Sequence, residues 1–135
     1  MRALRSYPPE YLTFFDLYNR GEHFEAHETL EDLWHAGRPL APAASKNRFY
    51  QGLIVFAVAW VHAGRDNPYG IRHCLEKARG HLTPFAPFHM GVDVVSILEY
   101  IDRRLPSLRE IEAEGCKPAP GDLPHLYLFP VDSSV

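Results

Sequence analysis

Leu53-Ile54-Val55-Phe56-Ala57-Val58-Ala59-Trp60-Val61 is the stretch that decides the fold. It is apolar on every side. A span of the bilayer takes roughly 20 such residues, about twice what is present. A strand is disfavoured by the length of the pattern and by Ala57 and Ala59. What remains is a helix covered all round by protein. Its reach is about Lys46 to Ala63, with Ser45 as cap.

Working outward, proline and glycine mark the other elements. Pro8 and Pro9 open a first helix. Tyr11, Phe14, Phe15 and Tyr18 follow at helical spacing, and Gly21 closes it. A second helix runs from about Glu22 to Ala36, and Arg38–Ala44 reads as a loop. Gly64–Asn67 is a turn, and Pro68 opens a fourth helix. Ile71, Cys74, Leu75, Ala78 and Leu82 form its stripe, with Arg72, Glu76 and Arg79 facing away. Pro84 and Pro87 break the chain again. A fifth helix starts near Asp93, and Pro106 ends it or starts a short last turn through Ile111. From Gly115 onward come four prolines and the patch Leu126-Tyr127-Leu128-Phe129. This tail reads as irregular but docked by that patch. The expected fold is therefore all-α: one compact domain over residues 1–135, a bundle of about five helices with a Pro-rich, docked C-terminal tail from about 115 to 135.

Bulk composition narrows the function classes. The 135 residues carry a formal charge of −3, so nothing points to nucleic acid or to an anionic membrane. The two cysteines, Cys74 and Cys116, form no metal spacing, and a reduced, cytoplasmic chain is the simplest reading. Met1–Tyr7 has no apolar core of a signal peptide. A homodimer is the base-rate expectation for a small helical domain. There is no GxSxG, GxxxxGK[ST], GxGxxG or HExxH pattern. Cys74 beside His73 is no nucleophile pair, because adjacent helical residues point apart.

The chemistry lies on the second helix. At 100° per residue, Glu25, Glu28, Thr29 and Asp32 share one arc, which is solvent. Ala26, Leu30, Leu33 and Trp34 fill the opposite arc. His27 and Glu31 fall beside Trp34, at the edge of the apolar face. They are one turn apart, so they can contact each other or one shared ion. Imidazole nitrogen with carboxylate oxygen suits zinc, manganese or iron. Glu28 is adjacent on the wheel and is a candidate third ligand. From the third helix, Gln51 and His62 share a stripe but lie eleven residues apart, about 16 Å along the axis. Only one can join His27. If the second and third helices are antiparallel, that one is His62. His81 is a weaker candidate. If the site is catalytic, hydrolysis by a metal-activated water is the natural class. The rival reading is a non-catalytic scaffold or interaction protein. There His27 and Glu31 form a buried hydrogen-bonded network with Gln51 or Tyr50, and Trp34 is core. His23, His35, His73, His89 and His125 read as surface or loop residues.

These residues also carry a resemblance. Tyr18-Asn19-Arg20-Gly21-Glu22, then Phe24-Glu25-Ala26-His27-Glu28 and Leu30-Glu31-Asp32-Leu33-Trp34, resemble domain-of-unknown-function family 309. Its pattern is His-x-x-x-Glu-x-x-Trp, here His27, Glu31 and Trp34. A second block, Tyr50-Gln51-Gly52-Leu53-Ile54 with Ala57, Ala59 and His62, is similar to the family as well, as are Asn67, Gly70 and Gly91-Val92-Asp93-Val94. The resemblance covers roughly residues 9–105. It implies a short bacterial or archaeal protein with a compact helical fold and a metal role for the His and Glu. The sequence departs at Asp66, where glycine is expected, and at Ile71, where a small residue is expected.

Overall fold

The computed structural model describes residues 7–37, 45–114, 126 and 128. The element order is α1 (Pro9–Asn19), α2 (His23–Gly37), α3 (Ser45–Gly64), α4 (Pro68–Leu82), a 3-10 turn (Thr83–Phe85), β1 (Phe88–His89), β2 (Val92–Asp93) and α5 (Val94–Glu114). The fold is all-α, with five helices and one two-residue-per-strand hairpin among the described residues. Each of the first four helices packs on the next in the chain, and α5 closes on α4. The expected Arg38–Ala44 loop lies outside the described residues, as do Cys116 and His125.

Punctuation explains the helix ends. Pro9 sits in the first turn of α1, where its missing N–H costs nothing. Gly21 stops the helix at φ 85°, a left-handed conformation that suits glycine. Tyr11, Phe14, Phe15 and Tyr18 are buried on one face. At the start of α4, Asn67 caps the helix by accepting from the Gly70 N–H at 3.1 Å, and Pro68 follows it. Asp66 lies at φ 51°, which is why a glycine is expected there.

The apolar run lies at the centre of α3, though it is not covered all round. Leu53, Phe56, Ala57 and Ala59 are fully buried. Gln51, Val55, Val58 and His62 form a half-buried edge. Gln51 and His62 therefore share its less covered stripe. Gly52 lets α3 and α4 approach closely: a Cβ there would come within 2.7 Å of Leu82.

Three expectations need correction. Pro106 neither ends α5 nor restarts it; the helix runs through it to Glu114. Pro106 is exposed, while Leu105 and Leu108 beside it are buried. Beyond it, Arg109 donates to Glu76 at 2.9 Å and Glu112 pairs with Arg72. These anchors hold the last turns on α4 despite the lost backbone bond. It follows that Arg72, Glu76 and Arg79 do not face away. Arg72 and Glu76 face α5, and Arg79 reaches Asp102 at 3.0 Å. The third correction concerns His89, which is packed against the rings of Phe49 and Phe85, at 4.6 and 4.7 Å between centroids. Its segment forms a hairpin the sequence reading lacks. His89 pairs with Val92 across Met90-Gly91, both at positive φ, as a type I′ turn requires.

The tail docks where it is described. Leu126 is 3% exposed and Leu128 packs on the core's margin. No described helix is long and apolar enough to cross a membrane.

Candidate functional site

Ala26 and Leu30, both fully buried, anchor α2 to the core. With that face inward, helical geometry places His27 and Glu31 at its edge. Glu25, Glu28 and Asp32 are exposed, as the wheel requires. His27 Nε2 lies 3.8 Å from Glu31 Oε1. The His27 side chain is 15% exposed and that of Glu31 40%. Phe24 lies edge-on to the imidazole at 4.8 Å and is itself 45% exposed. His27 Nδ1 is buried with no hydrogen-bond partner among the described residues. The imidazole thus turns one nitrogen to a solvent-reachable carboxylate and leaves the other unspent.

Two ligands about 2.1 Å from a tetrahedral ion stand roughly 3.4 Å apart, so a small shift of the Glu31 side chain brings the pair to metal-binding separation. The remaining donors do not converge. Among the described residues, no group of three or more His, Cys, Asp or Glu side chains could hold a metal ion. Glu28 is exposed on the next arc. Among the described residues, zinc, manganese or iron would therefore find two protein ligands here and not a protein cage.

His62 is engaged elsewhere. Its Nδ1 stands 3.2 Å from Asn67 Nδ2. Because Asn67 Oδ1 accepts from Gly70 N–H, the amide group must be the donor facing His62. Nδ1 is then the acceptor, the neutral ring carries its proton on Nε2, and neither nitrogen is free to ligate. The ring rests on Gly70, where a Cβ would come within 2.5 Å of it. Burial, Arg65 and His73 together hold the His62 pKa below the ordinary histidine value. The local signal for this role was Asn67-Pro68 with Gly70, a helix start five residues after His62.

Tyr50 is buried against Tyr11, 5.8 Å between ring centroids, and burial raises its pKa. Gln51 lies on the half-buried edge of α3. Trp34 is half-buried, packed on the core's margin and 4.8 Å from the His35 ring. His81 has a lowered pKa, from burial first and then from Arg48 and Lys77.

No curated protein matches the chain. A family model does, over residues 11–74, which span α1 to the first half of α4 and so contain His27, Glu31, Trp34 and the Tyr50–His62 block. This is narrower than the 9–105 the sequence pattern suggests. The matching model is that of DUF309, a domain of unknown function, the family that the His27-x-x-x-Glu31-x-x-Trp34 run resembles.

Proposed function

We propose that this is a small helical binding protein whose recognition point is the His27–Glu31 dyad on α2. Its ligand is a polar small molecule, or a divalent cation (zinc, manganese or iron) that keeps donors of its own. The observation that carries this reading is His27 Nε2 at 3.8 Å from a Glu31 carboxylate that solvent can reach, on a ring whose buried Nδ1 has no partner among the described residues. A buried polar atom without a partner calls for an explanation, and a bound ligand is one. Glu28 stands next to the dyad as an outer contact.

A second reading, a non-catalytic scaffold, is favoured by the employment of His62, which braces the start of α4 through Asn67. Glu31→Gln separates the two. The pair is half-exposed, so breaking it should cost no more than about 0.5 kcal/mol. Thermal unfolding is measured for both proteins with and without Zn²⁺, Mn²⁺ or Fe²⁺. The binding reading expects near-equal midpoints without metal and a metal-induced rise in the wild type only. A loss of about 1–3 kcal/mol in the variant, with no metal response in either protein, supports the scaffold.

A further inference from the structure

The end of α4 and the start of α3 gather cations that no carboxylate answers among the described residues. Lys77 and His81 stand one turn apart on α4, so their side chains are neighbours. α3 passes close by: a Cβ at Gly52 would come within 3.1 Å of the His81 Cβ. One turn before Gly52, Arg48 reaches across and donates from Nη2 to the Gly80 carbonyl at 3.3 Å. That bond fixes the guanidinium beside His81 and leaves its other N–H groups unspent. Burial, Arg48 and Lys77 together hold the His81 pKa below the ordinary histidine value.

Other cations of the surface are paired. Arg20 meets Asp16, Arg79 meets Asp102, and Arg72 and Arg109 meet Glu76. Arg48 and Lys77 are exposed and carry no such partner among the described residues. The α4 dipole explains a part of this, since a cation at a helix C-terminus is favourable and Arg48 at the Gly80 carbonyl is one. That effect fades within the last turn. It does not call for Lys77, five residues before the helix ends at Leu82. Like charges one turn apart cost stability. The imidazole adds an independent observation, because its Nδ1 is buried with no partner among the described residues. Guanidinium and ammonium groups donate and never accept. What would satisfy this set together is a ligand rich in acceptors and negatively charged.

We propose that Arg48, Lys77 and His81 form a seat for the phosphate dianion of a small soluble phosphorylated molecule. Arg48 supplies a fork of donors, Lys77 a point charge and His81 a ring N–H, one for each free phosphate oxygen. A carboxylate, with a single charge and fewer oxygens, leaves one of the three unmet. The cations converge on a point rather than spread over a face, and the net charge of −3 opposes an anionic membrane. Both favour a free ester over a lipid headgroup.

The test titrates inorganic phosphate and glycerol 3-phosphate into the full chain at constant ionic strength, at a pH where both are dianions. The ring resonances of His81 are followed by NMR, and a saturable shift is expected. Lys77→Gln and Arg48→Gln should each weaken binding roughly threefold or more, the range of an exposed charge. Arg48→Lys keeps the charge, loses the fork and should fall between. Arg79→Gln, whose guanidinium already serves Asp102, should bind as the parent does. Thermal melts check that each variant is folded. Phosphatidylcholine vesicles doped with phosphatidic acid test the other source of the same group. The proposal is overturned if phosphate moves the His81 resonances no more than sodium chloride of equal ionic strength. It is equally overturned if Arg79→Gln weakens binding as much as Lys77→Gln, or if the vesicles bind and the soluble phosphates do not.

Discussion

Two glycines on α4 should respond in opposite directions to one substitution. Gly80→Ala meets nothing within 4 Å, so only the helix propensity changes. An added methyl lowers the entropy of the unfolded chain and should stabilise by about 0.5–1 kcal/mol. Gly70→Ala gains up to the same amount but places its Cβ 2.5 Å from His62 Cγ, 2.6 Å from Nδ1 and 2.7 Å from Asn67 Nδ2. Overpacking of this kind costs about 1–3 kcal/mol. Displacing Asn67 threatens the cap as well, at about 1 kcal/mol. The net expectation is a loss of roughly 1–3 kcal/mol, against a gain for Gly80→Ala. For a domain of this size, 1 kcal/mol moves the midpoint by about 3–4 °C. Urea and thermal unfolding of both variants, and of each combined with His62→Ala, complete a double-mutant cycle. With the ring removed, Asn67 has room to move and most of the Gly70→Ala cost should disappear. The reasoning fails if Gly70→Ala stabilises as Gly80→Ala does, or if its cost persists undiminished without the His62 ring.

Gly52→Ala should destabilise by about 1–3 kcal/mol in urea unfolding, since its Cβ would overlap Leu82 across the α3–α4 contact. Tyr11→Phe removes the 2.8 Å bond to the Met90 carbonyl and should cost about 1–2 kcal/mol by the same assay. In a Cys116→Ser background, Cys74 should resist an aromatic disulfide reagent until the chain unfolds, because burial raises its pKa and hides its sulfur. Acid should destabilise the fold in two stages. His23, His62 and His81 are all held below the ordinary histidine pKa, chiefly by burial. The unfolded chain therefore binds protons first, and melting temperature should fall as pH drops below about 6.5. The Glu76 carboxyl is held below its usual range by the hydrogen bond from Arg109. Its contribution is present above about pH 4.5 and is lost as pH falls through the lowered value. A midpoint that rises between pH 7 and 5.5 contradicts the first stage.

The helices were legible because their boundaries are local. Pro9, Gly21, Pro68 and the Asn67 cap each act within one turn, and the apolar stripes repeat at helical spacing. The misreadings have the opposite character. Pro106 looked like a terminator because its cost is local, whereas the Arg72–Glu112 and Arg109–Glu76 pairs that hold α5 together link residues 40 and 33 apart. The same pairs are why Arg72 and Glu76 face a helix and not water. The hairpin escaped because two residues per strand leave no alternation to read. The Asn19–Leu126 clasp, a carboxamide bonded to a backbone 107 residues away, could not be read at all, since neither residue's type marks it.

The candidate site divides along the same line. The approach of His27 to Glu31 follows from a spacing of four on one helix, and the structure places them 3.8 Å apart. Joining His62 to that pair required a distance between helices, which an axial rise cannot supply. What the sequence did hold was nearer: Asn67 lies five residues from His62, and its amide fixes the tautomer of the ring. A histidine whose acceptor nitrogen is already occupied is a brace. One whose buried nitrogen has no partner among the described residues, as in His27 and also in His81, keeps an unmet hydrogen-bonding capacity. That contrast, between two imidazoles within residues 11–74, separates the binding reading from the scaffold reading more sharply than the spacing of either motif.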